Sequence, residues 1–300
     1  MILTVIEYLM AMEKKIMKKL ISLFLVISLV LFSLCANGTK ETSNNEITVI
    51  SREDGSGTRG AFIELVGVEQ KIDGVKTDLT TENAEIANST SVVITTVEGN
   101  KNAIGYISLG SLSDKVKALK IDGVLPSVET VKSGEYKIAR PFNIAYMSLD
   151  DISSDFISFV MSKEGQSIVE KKGYIKISDT EDSYKSSSKE GTLTISGSSS
   201  VYPVMEVLVE KYSSLNPNVK VTLLQSDSTT GLNDAINGNS NIGMASRDLK
   251  ESELGKGLTG LSIALDGIAI IVNNANSLDG LTTEQVRDIY LGKLTSWDNL

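Results

Sequence analysis

From about Ile47 onward the chain alternates short apolar runs with amphipathic stretches. "TLTIS" (192–196) and "KVTLLQS" (220–226) have the length and β-branched content of strands. "LSIALDGIAIIVN" (261–273) and "NAIGYISLG" (102–110) are predominantly apolar, as strands covered on both faces are. Val201, Val204, Met205, Leu208, Val209 and Tyr212 recur at helical spacing and define one buried face. "SSDFISFVMSKEGQSIVEKKGYI" (153–175) predicts a helix with Phe156, Phe159, Val160 and Ile168 inward. Such strand–helix alternation predicts an α/β fold with largely parallel sheets. It falls into two blocks, 46–178 and 191–300. A Ser/Lys/Glu-rich segment over 179–190 separates them and reads as a flexible linker.

The first 45 residues follow a different pattern. Lys14, Lys15, Lys18 and Lys19 precede the apolar run "LISLFLVISLVLFSL", which ends at Cys35. The run is short for a membrane span and suits the core of an export signal over 1–34. Met17 offers an alternative start. Cys35 is the single cysteine, which excludes a disulfide framework. Its place directly after the apolar core predicts a lipidated N-terminus followed by a polar tether over 35–45. The residue before it, Leu34, is larger than such sites prefer; a cysteine inside an ordinary cleaved signal is the alternative.

Composition narrows the chemistry. The chain of 300 residues has a formal net charge of −9 and no dense basic patch, which argues against a nucleic-acid partner. It contains no histidine, which removes Ser-His-Asp and Cys-His catalysis and His-ligated metals together. "GSGTRG" and "SGSSS" lack the lysine of a nucleotide-binding P-loop. No enzyme activity, metal or cofactor is expected.

Three places share one design: a strand, a Gly/Ser/Thr turn, then a helix. The first is "ITVISREDGSGTRGAFIELVGV" (47–68), with Ala61, Phe62 and Leu65 on one helix face. The second is "LTISGSSSVYPVMEVLVEKY" (193–212), and the third "VTLLQSDSTTGLNDAINGN" (221–239), with Leu232, Ala235 and Ile236 inward. A helix's first N–H groups lack internal partners, and its dipole puts partial positive charge there. Small Gly and Ser residues let an oxyanion approach that backbone. One such turn is an ordinary N-cap; three in one chain, with Arg52 just before the first, point to a shared anion site. Arg52 can pair bidentately with a tetrahedral oxyanion, and Asp54 is placed to brace its guanidinium; a solvent-facing turn aspartate is the alternative.

These residues carry a family resemblance. "GTLTISGSSSVYPVMEVLVEKYSSLNPNVKV", "INGNSNIGMASRDLKESEL", "IALDGIAIIVN", "LTTEQVRDIYLGKLTSWDNL" and "SREDGSGTRGAF" are similar to the PstS family, the phosphate-binding proteins of bacterial phosphate ABC transporters; "NAIGYISLGSL", "VKSGEYKIARPF" and "MSKEGQSIVEKKGYI" match as well. The order differs: residues 46–178 resemble the family's C-terminal half and 191–300 its N-terminal half. The resemblance implies a two-lobed periplasmic binding protein fold, circularly permuted or one register of an out-of-phase tandem. One lobe would comprise roughly 138–268 and the other 46–137 with 269–300, placing "ALDGIAIIVN" at the hinge and Leu300 near Ile47.

The resemblance implies phosphate ligands at Arg52, Asp54, Ser56, Gly57, Thr58, Ser199, Ser200, Thr229 and Ser246. "SDSTTG" is less glycine-rich than the family's turn, with Asp227 at a glycine position. Ser246 falls where some members carry an aspartate that accepts the phosphate proton, which implies softer discrimination against sulfate. Several charge-assisted hydrogen bonds of ~1.5–3 kcal/mol each reach the ~8 kcal/mol of micromolar binding after ordering costs. The expected partners are inorganic phosphate, the membrane permease of an ABC transporter and, through Cys35, the extracytoplasmic face of a membrane. Alternatives are another tetrahedral oxyanion (sulfate or molybdate), a surface lipoprotein or phosphate sensor outside transport, and a fragment completed by a second copy.

Overall fold

Residues 45–186 and 189–300 are described in a computed structural model. The export signal, Cys35 and all but the last residue of the tether lie outside them. In the first block come β1 (Thr48–Arg52), α1 (Gly57–Val66), the hairpin β2 (Glu69–Ile72) and β3 (Val75–Asp78), and β4 (Glu85–Ala87). They are followed by α2 (Thr90–Gly99), β5 (Ala103–Ser108), β6 (Val116–Ala118), β7 (Lys120–Ile121) and α3 (Val128–Ser133). β8 (Ala139–Tyr146), α4 (Asp151–Met161) and α5 (Lys163–Lys171) complete that block. The second block holds β9 (Gly191–Ser198), α6 (Tyr202–Leu215), β10 (Val219–Ser226), α7 (Ser228–Ile236) and β11 (Ile242–Ala245). It ends with α8 (Glu251–Leu254), β12 (Thr259–Asn273), β13 (Gly280–Leu281) and α9 (Thr283–Tyr290).

A nine-stranded sheet runs β10-β9-β11-β8-β12-β5-β1-β4, with β6 also on β12. β9 is parallel to β10 and β11, and β1 is parallel to β4 and β5. The expectation of largely parallel pairing fails at the centre, where β12 runs antiparallel to both β8 and β5. β12 is 15 residues long. Its Thr259–Gly267 stretch pairs with β8 and its Ile268–Val272 stretch with β5, so one strand belongs to two packing units.

Those units have separate apolar cores. In the first, Phe62 stacks on Tyr106 at a centroid distance of 4.0 Å and meets Tyr290 edge-on, among Ile104, Ile270, Val286 and Ile289. In the second, Phe156, Phe159 and Tyr212 pack with Phe142, Ile195, Leu208 and Ile263. We call them the first and second lobes. The ends of the described chain meet on the first lobe: Ile47 donates its N–H to the Thr295 carbonyl at 2.8 Å, and Leu300 packs against the core that includes Ile47.

Two local expectations need correction. The helix expected over 153–175 is two helices, broken at Ser162, whose hydroxyl caps α5 by accepting from the Gly165 N–H. A Cβ on Gly165 would run into the Phe159 and Val160 carbonyls, so the corner depends on glycine. Val169 is consequently the large apolar residue buried from α5, and Ile168 is only half-buried. On α1 the buried face is Phe62, Ile63 and Val66, while Leu65 is 42% exposed.

Candidate anion-binding site

Four strand–turn–helix units deliver polar side chains to the junction of the lobes. β1 carries Arg52 to its C-terminal end and Ser56 caps α1, accepting from the Arg59 N–H at 3.3 Å. Capping uses a lone pair of that hydroxyl and leaves its proton free to donate. β9 ends at Ser198 and is followed by Ser199 and Ser200 in the turn ahead of α6, and β10 leads through Asp227 to Ser228 at the start of α7. The fourth unit was not anticipated: β4 leads through Asn88 and Ser89 to Thr90, the first residue of α2.

The hydroxyls form two clusters of short contacts. Thr58 Oγ1 lies 2.8 Å from Ser200 Oγ, which lies 3.1 Å from Thr90 Oγ1. Arg52 Nη2 donates to Ser199 Oγ at 3.1 Å, and the Thr90 N–H reaches the same oxygen at 3.4 Å. A second cluster joins Ser198 to Ser246 at 2.9 Å, with Ser228 accepting from the Ser246 N–H at 3.1 Å. Gly57 lies against this second cluster; a Cβ there would stand 2.8 Å from Ser246 Oγ. All of these side chains are buried. Arg52 and Ser199 come from different lobes and are 147 residues apart, so a single chain supplies both sides of the site.

Glycine lets α7 sit this deep. Gly231 rests on β9, where a Cβ would meet the Ser196 carbonyl at 2.6 Å, and Gly243 of β11 closes against Gly231 in the same way. Asp227 needs no glycine conformation: its φ is −100° and its carboxylate caps α7 by accepting from the Thr230 N–H at 2.9 Å.

Arg52 is held from three directions. Its Nε and Nη2 pair with the two carboxylate oxygens of Glu53 at 2.8 and 2.7 Å, and Nε also reaches the Ala87 carbonyl at 3.2 Å. The Arg52 N–H donates to Tyr106 Oη at 3.1 Å; burial pushes that phenol up to about 12, so it stays a neutral partner. Glu53, not Asp54, is the brace. Asp54 faces outward, with its side chain 97% exposed and paired with Arg59, because the turn rotates alternate side chains away from the cleft.

Nor is Arg52 the only guanidinium near the site. Arg140 donates to the Ser246 carbonyl at 2.8 Å and pairs with the buried Asp266 at 3.2 Å, which also accepts from Ser108 at 2.9 Å. Burial raises the Asp266 carboxyl to about 6 despite that pairing, and burial likewise lowers Arg140. Arg247 pairs through both terminal nitrogens with Glu253 at 2.7–2.8 Å. Thr229, expected among the ligands, points to the lobe contact instead; its neighbour Ser228 occupies the cleft. Helix phase decides between them: with Asp227 as cap, the first helical residue faces the sheet.

What the arrangement can do is donate hydrogen bonds. Helix N-termini, hydroxyl protons and one fixed guanidinium converge, and among the described residues no carboxylate is hydrogen-bonded to the hydroxyls of the two clusters. Such a set is complementary to a small tetrahedral oxyanion.

The sequence matches the PBP superfamily domain over residues 31–164 and 182–300. It is 47% identical over 292 residues to the phosphate-binding protein PstS 2 of Streptococcus agalactiae, covering 96% of this chain and 99% of that one. The PstS 2 of Streptococcus pneumoniae is 45% identical over 270 residues, covering 89% of this chain and 92% of the relative. The Bacillus subtilis phosphate-binding protein PstS is 33% identical over 141 residues, which are 45% of this chain and 43% of that protein. Among solved structures, the phosphate-binding protein of a phosphate ABC transporter from Streptococcus pneumoniae superposes with a TM-score of 0.68 at 47% identity, covering 85% of this chain and 99% of that one.

Proposed function

Because the chain belongs to the PBP superfamily and, within it, to the PstS phosphate-binding proteins, we propose that it binds inorganic phosphate between its lobes and delivers it to an ABC permease. One observation carries the reading: across the lobe junction the braced guanidinium of Arg52 donates to the buried Ser199 hydroxyl at 3.1 Å, and the buried hydroxyls of Thr58 and Ser200 meet at 2.8 Å. Binding and release, not reaction, is what such a site supports, since every convergent group donates and none is poised as a nucleophile beside a base. The ligand set is Arg52, Ser56, Gly57, Thr58, Ser199, Ser200 and Ser246, extended by Thr90, Ser198 and Ser228. The protein works outside the cytoplasm, and Cys35 anchors it to the membrane through lipid.

The order of the halves belongs to the same reading. The Bacillus subtilis PstS match stops at 45% of this chain, as a local match does when one half is transposed, while the streptococcal relatives align throughout. We read the chain as a permuted form shared with those relatives.

Calorimetric titration with phosphate and with sulfate tests the function. Arg52→Ala removes charge-assisted bonds worth ~3–4 kcal/mol together, a loss of roughly 10²- to 10³-fold in affinity. No heat with phosphate would overturn the reading, and an unchanged affinity in Arg52→Ala would overturn the site. Stronger heat with sulfate would favour another oxyanion, an outcome for which the serine hydroxyl at 246 leaves room.

A further inference from the structure

The lobes also touch each other at the turn just ahead of the anion-facing residues Ser56, Gly57 and Thr58. The carbonyl of Gly55, in the turn between β1 and α1 of the first lobe, accepts two hydrogen bonds from one residue of the second lobe. Thr229 donates its backbone N–H at 3.1 Å and its Oγ1 hydroxyl at 3.1 Å. Arg247 Nη2 donates to the same Oγ1 at 3.3 Å, while the stem of Arg247 lies over Gly57 and Gly60 of α1. A hydroxyl has one proton. At Thr229 it is committed to Gly55, and none remains for an anion.

Gly55 fits this contact closely. A Cβ there would press into the carboxylate of Asp227, with Cγ at 2.5 Å. That carboxylate cannot swing aside freely, because it caps α7 through the Thr230 N–H at 2.9 Å and holds the Thr230 hydroxyl at 2.6 Å. Gly55 itself does not adopt a positive φ, so alanine suits its own loop and conflicts only with the facing lobe.

We propose that Thr229, locked by Arg247, is a positioning residue that latches the Gly55 carbonyl, so that lobe closure and the placement of Ser56, Gly57 and Thr58 are set by a contact separate from the anion. The inference rests on the phosphate reading for its binding readout, though not for its conformational one. Part of the closing free energy then comes from protein–protein bonds, and the latch controls how long a bound anion stays.

The test uses three variants of the full chain: Thr229→Val, Thr229→Ser and Gly55→Ala, the last also combined with Asp227→Ser, which keeps a helix cap but removes the carboxylate. Phosphate association and dissociation rates are measured together with the closed fraction by small-angle X-ray scattering, with and without phosphate. Thr229→Val should weaken phosphate roughly five- to tenfold, through faster dissociation and a more open ensemble in both conditions; Thr229→Ser should behave as the parent. Gly55→Ala should lose about tenfold or more, regained when Asp227→Ser is added. Weaker binding in Thr229→Val with unchanged scattering would make Thr229 an ordinary ligand and overturn the latch. So would a Gly55→Ala protein that scatters and binds like the parent. Absence of phosphate binding by the parent would sink the functional reading alone, because scattering without phosphate still reads the latch.

Discussion

Asp266 offers a contest between two physical effects whose outcome can be measured. Its carboxylate is fully buried where β12 passes from one lobe to the other, paired with Arg140 at 3.2 Å and hydrogen-bonded by Ser108. Desolvation raises the group from an ordinary 3.8 to about 6, against the pull of Arg140. At ~1.36 kcal/mol per pH unit between those values, the ionised carboxylate costs the fold roughly 3 kcal/mol. A raised acid is stabilising below its unfolded value and loses that contribution as pH rises through the folded one. The window is therefore about pH 4 to 6. Asp266→Asn keeps the shape and cannot ionise. Guanidinium unfolding of both proteins at intervals from pH 4 to 7.5 gives a difference in which the lowered carboxyls, such as Asp78 and Glu253, cancel. Relative to the variant, the parent should lose about 3 kcal/mol across that window. If the parent instead gains on the variant as pH rises, pairing outweighs desolvation and the reasoning fails; a buried pair broken from one side often costs several kcal/mol.

Two further changes follow from the packing and the lining. Gly231→Ala drives a methyl into the backbone of β9 and should lift the start of α7, costing about 1–3 kcal/mol in denaturant unfolding and weakening phosphate binding through Ser228. A parent-like midpoint would show that the helix can shift freely. Ser246→Asp puts an acceptor-only carboxylate beside Ser198 and Ser228. Sulfate, which has no proton to offer, should lose far more affinity than monohydrogen phosphate in competition titrations; equal losses would remove Ser246 from the lining.

Much of this was readable from sequence because it depended on local rules. The periodic positions of α6 placed Val204, Met205, Leu208 and Tyr212 in the core, and the glycine–hydroxyl turns marked three of the four converging helix starts. What escaped depended on direction. Whether Ser228 or Thr229 enters the cleft, and whether Glu53 or Asp54 holds Arg52, is fixed by a rotation of about one residue at a turn, which composition does not encode. Thr90 was missed because "NSTSVV" contains no glycine and looks like a plain cap. Arg140 and Asp266 were missed because their partnership spans 126 residues and two strands. The break at Ser162 was hidden because the apolar rhythm continues across it.

The two cores also differ in how the chain assembles them. The second lobe draws its core from one continuous run, Phe142 to Ala264, whereas the first needs Ile47 to Ile138 together with Val286, Ile289 and Tyr290 of α9. The residue ahead of its opening strand, Ile47, gains its backbone partner only when the Thr295 carbonyl arrives. Folding should therefore run against the order of synthesis: the first residues made wait, and the lobe in the middle of the chain gains amide protection first. A pulse-labelling experiment during refolding would see β9 and α6 protected before β1 and α1, and a chain stopped before α9 would hold one finished lobe attached to an unfinished one.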